Sequence, residues 1–131
     1  RKNVLVSSFG RNISPEWVEA ELGAEAEIDQ CFVFGDSRPF CVALIAPRTP
    51  ALNDAMIDAA LARVNAKLPS YARVKQWHRL ERPLSRGTGL VSDLMTSNGR
   101  ARRAQIEAHY QGELALLYSV IPSNEASIAV K

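Results

Sequence analysis

Two short stretches of this chain hold the residues able to do chemistry. Met95-Thr-Ser-Asn-Gly-Arg-Ala-Arg-Arg103 sets three arginines behind a glycine. The glycine allows a tight backbone turn, and the guanidinium groups beside it are planar, always charged and suited to bidentate partners. Ser8-Phe-Gly-Arg-Asn12 is a polar loop centred on Gly10, a residue that permits positive φ or the close approach of another molecule. Each stretch also has a plainer reading: Arg100 as the basic opening of a helix, Gly10 as an ordinary turn glycine.

Other chemistries find no support. Ser7, Ser8, His78 and His109 have no spacing that argues a nucleophilic triad, and two histidines without clustered carboxylates argue no metal. Cys31 and Cys41 lie in apolar, strand-like runs without metal-ligand spacing, and read as small buried hydrophobes.

The elements that must position the two stretches follow from pattern and punctuation. Val4-Leu-Val6 reads as a short strand leading into the Gly10 loop, and Ser14-Pro15 opens a helix with serine at the cap and proline in the first turn. Glu16 and Glu19 place negative charge near that helix start, where its dipole favours it. Residues 30–36 and 40–46 read as two strands joined by Gly35-Asp-Ser-Arg-Pro39, the second a continuous apolar run suited to a buried position. From Ala51 to Leu68 the steps Leu52, Met56, Ala59, Ala60, Val64 and Leu68 predict an amphipathic helix, with Asp54, Asp58, Arg63 and Lys67 on a solvated face. Tyr71 to Leu80 reads as extended, Glu81 to Asn98 as a long surface loop, and Arg100 to Ser119 as a last helix with Ile106, Tyr110, Leu114 and Leu117 on one face.

With 131 residues, 47% hydrophobic and 23% charged, the chain suffices for one globular domain and is short for a multi-domain enzyme. No apolar run approaches the length of a bilayer span and no signal segment opens the chain, so a soluble, cytoplasmic protein is expected, with peripheral membrane contact left open. Arg1 follows no methionine and a strand begins almost at once, which reads as a fragment of something larger. Residues 1–121 are expected to form the domain and 122–131 a disordered tail. The net charge of +2 conceals an asymmetry, −2 over residues 1–68 against +5 over residues 69–110. A basic second half raises the local concentration of anions without naming one.

The order Lys2-Asn3-Val4-x-Val6-x-x-x-Gly10-x-x-Ile13-x-Pro15-x-x-Val18-Glu19 resembles the signature that opens the small C-terminal domain of the adenylate-forming superfamily, in particular of AMP-forming acyl-CoA synthetases. Trp17 departs from it where many members carry glutamate. The second stretch resembles the family's Thr-x-x-Gly-Lys-x-x-Arg loop: Thr96, Gly99 and Arg103 match, and Arg100 stands in place of the lysine. The resemblance covers nearly the whole chain. It implies an α+β fold, a strand pair followed by a three-stranded sheet with flanking helices, and a domain that rotates against a large N-terminal partner domain between two half-reactions. Lys2 falls at the hinge, and Ser8, Phe9, Gly10, Arg11 and Asn12 form the loop facing the pantetheine path in the thioester-forming state. Glu19 lies on the motif helix. Thr96, Gly99 and Arg103 belong to the adenylation loop. Arg100 is the catalytic cation, facing the substrate carboxylate and the ATP α-phosphate.

The resemblance further implies ATP with Mg2+ and CoA in the full-length enzyme, held mainly by the large domain, whose glycine-rich phosphate loop this sequence does not contain. A carboxylic acid of fatty-acid type is the expected substrate, no cofactor is expected to be bound tightly by the fragment, and the fragment alone is expected to be inert. Three readings of Arg100 stand, since guanidinium keeps lysine's charge but not its shape: a working substitute, a degenerate loop, or the basic start of a helix. Two other functions compete with the ligase. Arg79, Arg82, Arg86, Arg100, Arg102 and Arg103 suggest a nucleic-acid-binding module, although no RNP-like aromatic run, zinc pattern or helix-turn-helix accompanies them. A non-catalytic interaction domain is the third reading.

Overall fold

The computed structural model describes residues 4–80 and 103–119. The long apolar run in the middle of the chain becomes the central strand, and the rest is arranged on its two faces. Strand β4 (Cys41–Pro47) lies between β3 (Ile28–Phe34) and β5 (Val74–Arg79), antiparallel to the first and parallel to the second. Cys41 through Ala46 are all buried. A strand covered on both faces has no reason to alternate in hydropathy, which accounts for the unbroken run.

Helix α1 (Pro15–Gly23) and helix α2 (Asp54–Asn65) cover one face, where Val18, Leu22, Ile57, Ala60, Leu61 and Val64 meet Val33, Ala43 and Ile45. The other face packs Phe32, Phe34, Val42 and Leu44 against Ile106 and Leu114, from α3 (Arg103–His109) and α4 (Gln111–Ser119). A separate two-stranded sheet, β1 (Leu5–Val6) with β2 (Asn12–Ile13), is antiparallel and brackets the Gly10 loop. The architecture is α+β, a strand pair followed by a three-stranded sheet with helices, as the family resemblance implied.

Both long helices begin at side-chain caps. Ser14 Oγ accepts the Trp17 N–H with Pro15 in the first turn, and Asn53 Oδ1 accepts the Met56 N–H. The cap at Asn53 starts α2 three residues later than the periodicity predicts, and it ends at Asn65. Its buried stripe also differs from the predicted one: Ile57, Ala60, Leu61 and Val64 face the sheet, while Met56 is 45% exposed. The polar face is less free than its composition suggests, because Arg63 pairs with Glu25 and Glu27, Arg79 with Asp54, and Asp58 accepts the Trp77 indole N–H. A 3₁₀ turn at Ser70–Ala72 precedes β5 where extended chain was expected. The last helix is interrupted at Tyr110, just ahead of Gly112, so α3 and α4 are separate. The segment 81–98 and the tail beyond Pro122 lie outside the described residues.

Candidate functional site

Three residues of the loop between β1 and β2 turn on a single buried serine. Ser7 Oγ accepts the N–H of Phe9 and of Arg11, at 3.3 and 3.2 Å, and the Ser7 carbonyl accepts the Gly10 N–H at 2.9 Å. Gly10 takes φ of +81°, a left-handed conformation that side chains resist. No heavy atom lies within 4 Å of where its Cβ would be, so glycine is required by the backbone and not by crowding on the fold's own side. The turn leaves Phe9 77% exposed at the tip, an unusual place for a phenylalanine.

The hairpin turn between β3 and β4 holds this loop from behind. Asp36 accepts the Val6 N–H at 2.9 Å, the Val6 carbonyl accepts the Ser37 N–H at 2.8 Å, and the Arg38 carbonyl accepts the Ser8 N–H at 2.9 Å. Asp36 and Arg38 were not legible as partners of the loop, because each lies 30 residues from the residue it bonds, Val6 and Ser8. In front of the loop, Ser7, Phe9, Arg11, Phe40, Tyr71 and Lys75 line a cavity of about 300 Å³. The Arg11 guanidinium lies over the Tyr71 ring at 4.4 Å, a cation–π seat that keeps its charge at the cavity wall. Two cations among three aromatic rings suit an anionic group attached to something flat or apolar. Neither Phe40, Tyr71 nor Lys75 was singled out from the sequence; only their convergence on one cavity reveals them.

The second stretch is anchored at its end. Arg103, the first residue of α3, donates from Nη1 to Glu19 Oε2 at 2.6 Å and from Nη2 to the Val33 carbonyl, with its guanidinium 4.9 Å from the centre of the Phe34 ring. Glu19 Oε2 also accepts the Val33 N–H at 2.7 Å. Burial holds the Glu19 carboxyl above its ordinary value, more strongly than the Arg103 charge and the Val33 N–H draw it down. Cys31 donates to the Glu19 carbonyl at 3.4 Å, and burial pushes its thiol up to about 12, which disqualifies it as a nucleophile at neutral pH. The structure therefore brings Glu19 and Arg103 together, and sets Ser8, Phe9, Gly10, Arg11 and Asn12 in one loop. Lys2, Thr96, Gly99 and Arg100 lie outside the described residues.

Of the arginines behind the nucleic-acid reading, the two described are engaged internally: Arg79 with Asp54 and the Leu52 carbonyl, Arg103 with Glu19. Among the described residues, no three His, Cys, Asp or Glu side chains converge as a metal site, and no helix is long and apolar enough to cross a membrane.

Comparison with known proteins agrees with this fold. The model of the AMP-binding enzyme C-terminal domain matches residues 2–121. A carboxylic acid reductase of Mycobacterium marinum is 26% identical over 132 residues, which cover 96% of this chain and 11% of that protein. Among solved structures, the adenylation domain of a carboxylate reductase from Mycobacterium chelonae superposes with a TM-score of 0.76 at 26% identity, over 90% of this chain and 20% of the other. An acyl-CoA synthetase of Brucella canis shares the fold with a TM-score of 0.62 at 19% identity, over 85% of this chain and 20% of its own. This chain thus spans about a tenth of the curated relative's length.

Proposed function

The chain belongs to the family of AMP-binding enzyme C-terminal domains, and from that membership we propose that it is the small, rotating domain of an enzyme that activates a carboxylic acid with ATP and transfers the acyl group to a pantetheine thiol. In the first half-reaction a carboxylate oxygen attacks the ATP α-phosphorus, pyrophosphate leaves, and an acyl-adenylate forms. In the second the thiol attacks the acyl carbon, releases AMP and forms a thioester. Arg100 is assigned to the first step, as the cation that stabilises charge developing at the α-phosphate. The Gly10 loop is assigned to the second.

The observation that carries this reading is the cavity that Ser7, Phe9 and Arg11 of the Gly10 loop line together with Phe40, Tyr71 and Lys75. A phosphopantetheine arm is slender and carries a phosphate at the end away from its thiol; Arg11 and Lys75 on the cavity wall supply cations for that phosphate, and Gly10 adds no side chain to the loop that carries Arg11. Binding of ATP and Mg2+, like selection of the acid, is assigned to the large domain.

Two kinds of enzyme fit this reading. The sequence resemblance points to an acyl-CoA synthetase, acting on a fatty-acid-like acid with free CoA as acceptor. A carboxylate reductase is the second reading, favoured by the 26% identity with the Mycobacterium marinum protein and by the higher TM-score of the Mycobacterium chelonae domain. The test offers acyl-adenylate to the full-length enzyme with free CoA or with a pantetheinylated carrier protein, and measures thioester. Thioester on CoA supports the synthetase, thioester on the carrier that is discharged reductively when a hydride donor is supplied supports the reductase, and no thioester with either acceptor overturns the reading. In the productive arm, Arg11→Ala raises the thiol concentration needed for half-maximal rate by about 5- to 20-fold, the worth of one charge-assisted contact.

A further inference from the structure

Val33 lies on β3, an edge strand of the three-stranded sheet, and its outward backbone groups meet two side chains instead of a neighbouring strand. The Val33 N–H goes to Glu19, the Val33 carbonyl to Arg103, and Glu19 and Arg103 bond each other, so that four groups close a ring. Both side chains are largely buried, 17% and 16% exposed. Other ion pairs in the molecule, such as Arg63 with Glu25 and Glu27, tie neighbouring structural segments. This ring alone among the described pairs joins the helix of the first motif to the residue that ends the second.

We propose that Glu19 is a positioning residue for the adenylation half-reaction, acting through Arg103 to hold the end of the second motif at a set place on the domain. The inference rests on the reading that adenylation is performed from that motif. Arg103 is the first residue of α3, and Arg100 precedes it by three residues, so the chain between them spans at most about 11 Å. Fixing Arg103 therefore limits where the Arg100 guanidinium reaches. Arginine suits the anchor because its planar fork addresses the carboxylate and the carbonyl together while its face rests on Phe34. Lysine, a single point charge, does not do all three. Burial outweighs the pairing at Glu19, so the ring's worth lies in geometry more than in stability.

The experiment uses the full-length enzyme and compares Glu19→Gln, Arg103→Lys and Arg100→Ala in single turnovers. Pyrophosphate release reports adenylation, and consumption of supplied acyl-adenylate by thiol reports the second step. Glu19→Gln keeps an acceptor for the Val33 N–H but loses the charge. It is expected to slow pyrophosphate release about tenfold, as misplacement of a catalytic group does, and to leave acyl-adenylate consumption within about twofold of the parent. Arg103→Lys, the milder change to the fold, shows the same asymmetry with a smaller loss. If both steps fall together in these variants, the ring is merely structural and the inference fails. If neither falls while Arg100→Ala slows pyrophosphate release, the inference fails and the functional reading stands. If Arg100→Ala leaves pyrophosphate release intact, the assignment of the second motif fails and the inference with it.

Discussion

Glu19 carries two demands that oppose each other, and pH separates them. Its carboxyl is raised above the ordinary 4.5, first by burial. A carboxyl raised on folding binds its proton more tightly in the folded state, so its stabilising contribution is complete below about pH 4.5 and is lost as pH rises through the folded value. The melting temperature of the parent relative to Glu19→Gln should accordingly fall between pH 4 and pH 7. A rise over that interval would show that the pair with Arg103 stabilises the fold outright. At Gly10 the demand is conformational: with φ of +81° and open space around the missing Cβ, Gly10→Ala should cost only the backbone strain of about 1–2 kcal/mol, read from denaturant unfolding. Both residues were legible in the sequence through their motifs. Their partners were not, since Val33 contributes only backbone atoms and Tyr71 lies 60 residues beyond Arg11. Backbone groups carry no side-chain signal.

Among the elements, the strands were read more accurately than the helix between them. β4 declares itself because a strand buried on both faces needs apolar residues throughout, and its turn partners Gly35 and Pro39 punctuate the hairpin. In α2, alanines recur on nearly every side, so two apolar stripes compete for the core. Both contain Ala60 and Val64; the one that wins adds Ile57 and Leu61, because that pair removes more apolar surface from water than Met56 with the small Ala59 would. Ile57→Ala should therefore destabilise by about 2–5 kcal/mol, and Met56→Ala by no more than about 0.5 kcal/mol, in equilibrium unfolding with urea. Equal costs would place the helix in the predicted phase instead. The start at Asn53 was missed for a local reason: its cap depends on the side chain reaching the Met56 N–H, which apolar periodicity does not register.

For the molecule as a whole, the proposed function has one domain present its two motifs in turn by rotating against a larger partner domain. The resemblance that placed Lys2 at the pivot leads to a separate expectation for the intact enzyme. Proline there fixes φ and restricts the residue before it, so Lys2→Pro should slow the thioester step more than adenylation, whereas equal losses would argue misfolding. The overall α+β plan and the family were readable because two motifs in the right order constrain a fold more than hydrophobic pattern does. The cavity was not, since it assembles residues from the first loop, the hairpin turn and β5 that only the folded chain brings together. The central claim, one domain serving two half-reactions through two separate motifs, is tested most directly by measuring both steps in Arg100→Ala and Gly10→Leu of the full-length enzyme. The account predicts opposite losses: Arg100→Ala slows single-turnover pyrophosphate release by about 10² to 10³ while supplied acyl-adenylate is still consumed, and Gly10→Leu forms acyl-adenylate at the parent rate while its consumption by thiol falls. Losses of the same step in both variants, or of both steps in either, would contradict it.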